Sequence, residues 1–333
     1  MKKYKKIAIV RLSALGDIIN SAIVLQFIHR AFPEASIEWV TEEVFSPLLK
    51  HHPLVDAVHI INLKKIKKEK NFFLLKENIL YLKSLKEFDI VIDMQGLLKS
   101  AIVSRLIGKN THGFDKNSSR EALSSFFYKT TSTIEYEQNI VKRNCFLVSD
   151  ALGFRLDDEM ILNKEPIFKV EKASFVDAKK TNIAFVIGAS WESKKYPKEQ
   201  VIKLCNELKE NAIIVWGDEY EKKDAEFICS ASPYATLAPK LSLVELLSFI
   251  SSVDLVIGND TGPTHMAWSQ NIASITLFGP TTSRMIYETP INIALKSSSK
   301  VDIMKIDKND FSIKDISLEQ IIKNAKELLR HGV

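Results

Sequence analysis

Short apolar runs alternate with longer amphipathic stretches along the first half of the chain. The strand-like runs cover about 7–11, 37–40, 58–61 and 90–93, and the helical patterns about 17–31, 75–85, 97–106, 120–127 and 137–152. Strands that alternate with helices in this way predict a parallel sheet with helices on both faces.

The same alternation returns after a break at about residues 155–180, where Pro166 and mixed charges interrupt the pattern. The strand-like runs here cover about 182–187, 212–216, 255–257 and 272–278, and the helical patterns about 197–208, 219–229, 243–250 and 263–269. The chain therefore predicts an α/β fold of two Rossmann-like, doubly wound domains, residues 1–160 and 175–316, that face a central cleft. A final amphipathic helix over 317–333 begins with a capping box at Ser317.

Composition agrees with two domains. A chain of 333 residues, 46% of them apolar, exceeds the size at which a single core usually stops growing. No apolar run approaches the roughly 18 residues of a membrane span, and the run 7–10 is too short for the core of a signal peptide. Three scattered cysteines without metal-ligand spacing predict a reducing compartment, hence the cytoplasm.

Positive charge is concentrated in one stretch. The formal net charge of the chain is +5, and no arginine–aromatic pattern indicates nucleic acid. Residues 64–70 nevertheless include five lysines, and Phe72 and Phe73 follow them. Such a run is either a solvated loop or a patch for anionic lipid headgroups or a phosphorylated acceptor. Lysines near an anionic membrane each contribute about 1 kcal/mol of binding.

The turn after the run 253–257 is the strongest candidate for a binding site. Asp260 and Thr261 are typical helix-capping residues, and Pro263 suits a first helical turn. Backbone N–H groups at such a helix start bind anions, a diphosphate in particular. Asp260 and His265 flank the turn, which favours a binding site over an ordinary capped turn.

Two other turns carry candidate chemistry. Residues 10–17 join the first strand to the first helix without the G-x-G-x-x-G pattern of dinucleotide sites. Asp17 in this turn either caps the helix or acts as a general base toward an acceptor hydroxyl. In the turn 188–197, Lys194 either reaches a phosphate as a point charge or is solvated.

Polar residues also follow two further strands. Glu219 and Glu221 either bind ribose hydroxyls or favour a helix N-terminus through its dipole. Asp93, Gln95 and Lys99 follow the run 90–93, and ligands of such sheets bind at the carboxyl ends of the strands. The chain thus has one set of turns with a candidate base and another with phosphate-binding features.

Several of these motifs resemble those of the lipopolysaccharide heptosyltransferases, and the resemblance covers nearly the whole chain. The motifs are Arg11-Leu12-Ser13-Ala14-Leu15-Gly16-Asp17-Ile18, Asp93-Met94-Gln95-Gly96-Leu97-Leu98-Lys99-Ser100-Ala101, Lys194-Lys195-Tyr196-Pro197, Asp260-Thr261-Gly262-Pro263-Thr264-His265 and Phe278-Gly279-Pro280-Thr281. The segments 113–115 and 120–128 are more typical of type I members than of type II.

The resemblance implies a GT-B fold, with the acceptor on the N-terminal domain and the donor nucleotide on the C-terminal one. It implies that the helix over 317–333 packs back on the N-terminal domain. The activity implied is inverting transfer of L-glycero-D-manno-heptose from ADP-heptose to the first Kdo of Kdo-lipid A. The resemblance implies no cofactor and no bound metal ion.

The resemblance also implies roles for single residues. Asp17 matches the catalytic base. The residues expected at the donor are Lys194 at the phosphates, Glu221 near the ribose, and Asp260, Thr261, Gly262 and His265 in the donor turn. At the acceptor the resemblance implies Arg120, and the residue pattern itself adds Lys64, Lys67 and Gln95 as candidates.

The chain departs from the family at three of these places. The lysines at 64–70 stand where other members tend to carry arginines. Lys195-Tyr196 stands where tryptophan is often found, so either Lys194 or Lys195 contacts the phosphates. Pro263-Thr264 replaces the commoner leucine–serine.

The expected partners are ADP-heptose, Kdo-lipid A and an anionic membrane, with the protein a monomer at the cytoplasmic face of the inner membrane. The alternatives are heptosyltransferase II or another GT-B sugar transferase, a nucleotide-sugar 2-epimerase, an NAD-dependent oxidoreductase, and a non-catalytic nucleotide-binding module. The missing G-x-G-x-x-G pattern argues against the oxidoreductase, and the candidate base argues against the binding module.

Overall fold

The computed structural model describes residues 4–85 and 87–330 and divides the chain into two compact units, Met1–Lys169 and Val170–Val333. The division lies within residues 163–181, a stretch that contains neither helix nor strand. Within the described ranges, none of the helices has the length and apolar character that crossing a membrane requires.

A parallel sheet of six strands forms the centre of the first unit. Its strands are β1 (Lys6–Val10), β2 (Ser36–Glu42), β3 (Ala57–Ile61), β4 (Ile90–Asp93), β5 (Thr111–Phe114) and β6 (Thr130–Ser132). Its helices are α1 (Leu15–Ala22), α2 (Val24–Ala31), α3 (Ser46–Lys50), α4 (Leu63–Glu69), α5 (Phe72–Ser84), α6 (Leu98–Ile107), α7 (Ile140–Leu152) and α8 (Asp158–Leu162). The strand order β3-β2-β1-β4-β5-β6 places β1 between β2 and β4. The strand order therefore reverses beside β1, and ligands of such sheets bind at this point, outside the carboxyl ends of the strands.

The second unit repeats this topology. Its strands are β7 (Asn182–Val186), β8 (Asn211–Val215), β9 (Ala235–Leu237), β10 (Leu255–Asn259), β11 (Ala273–Phe278) and β12 (Asn292–Lys296). Its helices are α9 (Lys198–Leu208), α10 (Glu219–Ala231), α11 (Leu243–Ile250), α12 (Gly262–Ser269) and α13 (Leu318–Arg330). The parallel order β12-β11-β10-β7-β8-β9 places the reversal between β7 and β10.

The central strands of both units are buried on both faces. Ile7, Ala8, Ile9 and Val10 of β1 are fully excluded from solvent, and all five residues of β10 are buried. A strand covered by helices on both faces needs apolar residues at successive positions, which explains the contiguous apolar runs of the sequence. The predicted α/β fold of two doubly wound domains is confirmed.

The predicted position of the C-terminal helix is wrong. The structure places α13 in the second unit, where Ile321, Ala325 and Leu328 join the buried core beside β10, β11 and α9. These three residues recur at helical spacing, so they form one apolar stripe that covers this core. Just before the helix, the Tyr196 hydroxyl donates a hydrogen bond of 3.1 Å to the Ile316 carbonyl oxygen. Residues 331–333, which the prediction included, lie outside the described ranges.

Candidate active site

Asp17 lies in the first turn of α1, directly after the loop that follows the central strand β1. Its Oδ1 atom is 2.6 Å from Arg11 Nη2, and its Oδ2 atom accepts a hydrogen bond of 3.0 Å from the Ala14 N–H at the start of α1. The buried Arg11 guanidinium also donates to the Met94 carbonyl oxygen. The Asp17 side chain remains 27% exposed, so a hydroxyl can reach a carboxylate that is already fixed in orientation. The contact at the helix start is thus observed, and the role of base stays a prediction.

Gln95 follows β4, the neighbour of β1, and contacts the same loop. Its Oε1 atom accepts a hydrogen bond of 2.9 Å from the Leu12 N–H. Asp93 is fully buried and accepts hydrogen bonds from the Gln95 N–H at 2.8 Å and from the Tyr128 hydroxyl at 2.7 Å. Burial raises the pKa of Asp93 despite these hydrogen bonds. Asp93 therefore anchors the turn, whereas the half-buried Gln95 lies at the edge of the sheet that also carries Asp17.

Glu42 is a candidate site residue that the sequence reasoning missed. It ends β2 with 3% of its surface exposed, and its Oε2 atom accepts a hydrogen bond of 3.5 Å from the Lys64 N–H. Burial raises the pKa of Glu42, although the Lys64 N–H and the charges of Lys99 and Lys64 act in the opposite direction. Lys64 and Lys67 are exposed on α4, which begins directly after β3. The sequence feature that could have identified Glu42 is an acidic residue at the end of an apolar strand beside the predicted site.

Arg120 lies in the segment that follows the carboxyl end of β5 in the same sheet. It is exposed and precedes a stretch of 3-10 turns at 122–127. Its neighbour Glu121 accepts a hydrogen bond of 2.6 Å from the Leu98 N–H, at the first residue of α6. This bond ties the Arg120 segment to the turn that carries Gln95. The predicted acceptor residues thus all belong to segments at the carboxyl ends of the first sheet.

In the second unit, three predicted donor residues form one buried cluster. Lys194 Nζ is 2.8 Å from Asp260 Oδ2, and His265 Nε2 is 3.0 Å from Asp260 Oδ1. All three residues are buried. Burial alone raises the pKa of Asp260, but the hydrogen bond from His265 and the charge of Lys194 outweigh it and hold that pKa well below its usual range. Lys194 is therefore a fixed ammonium group rather than a solvated side chain.

The helix α12 begins at Gly262, two residues after Asp260. The sequence indicated Asp260 and Thr261 as candidate capping residues; Thr261 does occupy the N-cap position, but its side chain makes no capping hydrogen bond. The Asp260 carboxylate is held by the cluster, and the Thr261 side chain, at the N-cap, donates a bond of 3.4 Å to the Asn259 carbonyl oxygen instead. Among the described residues, no side chain caps this helix start, where Pro263 has no N–H group and the remaining first-turn N–H groups have the geometry that binds anions.

Glu221 joins the ends of two neighbouring strands, β7 and β8. Its Oε2 atom accepts a hydrogen bond of 2.6 Å from the Gly217 N–H, and its carboxylate lies against Gly188 so closely that a Cβ atom there would overlap it. Asp218 rather than Glu221 caps α10, by accepting bonds of 2.9 Å from two backbone N–H groups. The half-buried Glu221 carboxylate is thus fixed at the carboxyl edge of the second sheet.

The adjacent lysines 194 and 195 have different surroundings. Lys195 Nζ is 2.8 Å from Glu192 Oε2 and lines a cavity of about 250 Å³ together with Lys198, Glu221 and Asp224. Burial lowers the pKa of Lys195, but the neighbouring carboxylates, Glu192 first, raise it overall. Within the ranges that the structure describes, no group of three or more His, Cys, Asp or Glu side chains is placed to hold a metal ion.

The chain resembles proteins of known activity over most of its length. Residues 81–308 match the family model described as glycosyltransferase family 9 (heptosyltransferase). The chain is 40% identical to lipopolysaccharide heptosyltransferase 1 of Campylobacter coli, over 97% of this chain and 98% of the relative. It is 30% identical to lipopolysaccharide heptosyltransferase 1 of Pseudomonas aeruginosa, over 83% of this chain and 79% of the relative.

A solved structure has the same fold. The structure of Escherichia coli heptosyltransferase WaaC with ADP-2-deoxy-2-fluoro heptose matches 97% of this chain and 99% of its own, with a TM-score of 0.78 and 23% identity. At this level of identity the likeness establishes the fold. The GT-B fold that the sequence predicted is confirmed.

Proposed function

Because the chain belongs to glycosyltransferase family 9, the heptosyltransferases, we propose that it moves L-glycero-D-manno-heptose from ADP-heptose to the first Kdo of Kdo-lipid A. The protein is a glycosyltransferase, and it transfers heptose in lipopolysaccharide inner-core synthesis. The type I motifs of the sequence support the choice of the first Kdo as acceptor.

The donor diphosphate is assigned to the start of α12. The buried cluster of Lys194, Asp260 and His265 carries this proposal, because it holds an ammonium group in place beside the helix start. As the bond to the sugar breaks, negative charge collects on the departing ADP. The Lys194 ammonium and the backbone N–H groups of Thr261 and Gly262 neutralise that charge without reorganising. Neutralisation is assigned to these groups, with no metal ion and no cofactor.

The nucleoside is assigned to the edge formed by β7 and β8. Glu221 accepts hydrogen bonds from ribose hydroxyls, since its carboxylate is fixed by the Gly217 N–H and keeps part of its surface exposed. Lys195 lies in the neighbouring cavity with four carboxylates, a setting that suits a neutral polar group better than a phosphate. Lys194 is therefore the lysine assigned to the diphosphate.

Asp17 is assigned as the general base. It accepts the proton of the attacking Kdo hydroxyl, whose oxygen forms a bond to the anomeric carbon on the face opposite ADP, which inverts the configuration there. The Arg11 guanidinium fixes the direction of the carboxylate, so the base needs no rearrangement when the acceptor arrives.

The acceptor is assigned to the carboxyl edge of the first sheet. Kdo carries a carboxylate, and Arg120, Lys64 and Lys67 supply exposed positive charges at this edge. Gln95 supplies an amide group for the sugar hydroxyls beside Asp17. The lysines of α4 also contact anionic lipid, so the protein acts peripherally at the cytoplasmic face of the inner membrane, as a monomer and without nucleic acid.

Mass spectrometry of the lipid tests the proposal. The protein is incubated with ADP-heptose and Kdo-lipid A, and the lipid is expected to gain the mass of one heptose. The Asp17→Asn variant is the inactive control, and Lys179→Ser, a change at an exposed position in the second unit, is the active one. Release of free sugar without any gain in lipid mass contradicts transfer and points to hydrolysis or epimerase chemistry.

A further inference from the structure

The helices α4 and α5, with the residues that join them, carry the charge excess of the whole chain. Residues 63–84 contain seven lysines and two glutamates, a net charge of +5, and the formal net charge of all 333 residues is also +5. The rest of the chain is therefore neutral in sum. A net positive charge that is concentrated in one segment in this way attracts an extended anionic surface.

Large apolar side chains are exposed beside these lysines. Phe72, Phe73 and Leu80 of α5 are 77%, 84% and 57% exposed. Phe73 and Leu80 are two helical turns apart and lie on the same side of α5, with Lys76 between them. Leu82 is the one buried residue of α5, and α4, which is described throughout, contributes no buried residue. This helix pair therefore covers little of the core and presents apolar and basic groups outward.

The exposed apolar side chains continue onto the neighbouring elements. Helix α6 packs beside α5 and exposes Ile102, and the 3-10 turns at 122–127 pack against α6. In these turns Leu123 is 62% exposed and Phe126 is 80% exposed. Single exposed apolar residues are common on soluble proteins, but a series across adjacent elements marks an interaction surface.

We propose that this surface docks on an anionic lipid bilayer, with the lysines of α4 against the headgroups and with Phe72 and Phe73 inserted among the outer parts of the acyl chains. Basic residues that flank exposed aromatic rings are the pattern of helices that lie in a membrane interface. This docking adds an inserted aromatic pair to the contact between the α4 lysines and anionic lipid, and it rests on the proposed function.

The docked surface adjoins the candidate acceptor residues. Helix α4 begins at the carboxyl end of β3, and its Lys64 N–H contacts Glu42 at the end of β2. The carboxyl edge with Asp17 and Gln95 is therefore held close to the bilayer surface, where a lipid-linked sugar is presented. Insertion of the phenylalanines thus raises the local concentration of a lipid acceptor without any contact to the reacting atoms.

Vesicle flotation measures this docking. Wild-type protein is mixed with neutral phosphatidylcholine vesicles or with vesicles that contain phosphatidylglycerol. Phe72→Ser with Phe73→Ser is expected to lower partitioning onto the anionic vesicles about tenfold or more. The matched control is Phe227→Ser, which replaces an exposed phenylalanine of the second unit and is expected to partition as wild type.

A second pair of variants separates charge from insertion. Lys65→Ser with Lys68→Ser is expected to lower partitioning about tenfold at low salt and to approach wild type at high salt, because screening removes the headgroup attraction. Lys179→Ser with Lys180→Ser removes the same charge from exposed positions of the second unit and is the control.

Three results overturn the proposal: wild type that does not bind phosphatidylglycerol vesicles, equal binding to neutral and anionic vesicles, or unchanged partitioning of the phenylalanine variant. Failure to bind vesicles together with binding to an acidic protein assigns the surface to a protein partner instead. Transfer to a water-soluble Kdo sugar without acyl chains separates this proposal from the function. The phenylalanine variant is expected to retain transfer to the soluble sugar, which verifies that the variant is folded. If wild type does not transfer heptose to the soluble sugar, that result counts against the proposed function alone.

Discussion

Lys194 Nζ lies 2.8 Å from Asp260 Oδ2, and both side chains are more than nine-tenths buried. Burial of two charges costs about as much as their attraction returns, so such a pair is weak evidence for stability. Its position beside the start of α12 indicates another reason for it. An ammonium group that is held in place before the substrate arrives stabilises new negative charge at no further cost. The pair therefore makes separate predictions for function and for stability.

Lys194→Ala is expected to lower kcat/KM for ADP-heptose about 100-fold, because the departing diphosphate loses its fixed cation. Lys195→Ala is the matched control at the adjacent position and is expected to change kcat/KM by less than about tenfold, since Lys195 pairs with Glu192. Steady-state kinetics at saturating acceptor measure both. A larger defect in the Lys195 variant than in the Lys194 variant would reassign the phosphate contact.

Asp260→Asn is expected to destabilise the protein by about 3 kcal/mol or more at neutral pH, because the Lys194 charge stays buried without its partner. The pH dependence follows from the lowered pKa of Asp260 in the folded state. An aspartate in the unfolded chain binds its proton at about pH 4. The stabilising contribution is therefore complete above about pH 5 and is lost progressively as the pH falls from there toward the lowered pKa of the folded state. Urea unfolding across this range should show a flatter acid limb for the variant than for wild type.

The fold could largely be predicted from the sequence, because strands buried on both faces appear as contiguous apolar runs. The run 7–11 corresponds to β1, and the run 255–257 lies within β10. The strands β6 and β9 have only three residues each, too few for a recognisable run. The helix predicted at 120–127 consists of 3-10 turns, and α4, which buries none of its residues, offers no apolar period to recognise.

The sequence predicted each loop of the site separately, but it did not predict the contacts between the side chains of different loops. Lys194 and Asp260 are 66 positions apart, so only the pairing of β7 with β10 brings their loops together. Arg11 stood inside a recognised motif, yet its contact with Asp17 depends on a loop conformation that residue types do not specify. The C-terminal helix was misplaced for a similar reason, since an apolar stripe predicts burial but does not identify the core that it covers.

The buried His52 is expected to make the protein less stable in mild acid. Its ring packs edge-on against Phe168, and its Nδ1 atom accepts a hydrogen bond of 3.1 Å from the Leu54 N–H. Burial lowers the pKa of His52 to about 4, although a backbone hydrogen bond with Ile167 acts in the opposite direction. In the unfolded chain the His52 ring takes up a proton at about pH 6.5. The free energy of unfolding is therefore expected to fall by about 3 kcal/mol as the pH drops from there to 4.

His52→Gln removes this titration and is expected to flatten the pH dependence of the unfolding free energy over that range. His29→Gln, a change at an exposed histidine of the same unit, is the control and should follow wild type. Equal slopes for wild type and His52→Gln between neutral pH and mild acid would contradict a buried neutral ring.

Gly188→Ala tests the position of Glu221 without changing that carboxylate. The added Cβ atom overlaps the Glu221 carboxylate and displaces it from the Gly217 N–H. The variant is expected to raise KM for ADP-heptose about tenfold with a smaller change in kcat, as loss of uniform binding predicts. A cycle with Glu221→Gln measures the coupling. The two effects should be strongly non-additive, and simple additivity would separate Gly188 from the Glu221 site.

Asp17→Asn tests the base with the least change in shape, because the amide oxygen can still accept the Ala14 N–H. Proton acceptance is lost, so kcat is expected to fall by a factor of about 100 to 10,000. Binding of ADP should not change, since the donor residues belong to the second unit, and calorimetric titration with ADP is the control.

Variants of Arg11 then separate the effect of its charge from the orientation that it gives to the Asp17 carboxylate. Arg11→Lys keeps a cation but loses the fork that holds the carboxylate. It is expected to lower kcat about tenfold with an unchanged KM for ADP-heptose. Substantial turnover in Asp17→Asn would exclude this carboxylate as the base, and the guanidinium beside it would then be explained by the geometry of the loop alone.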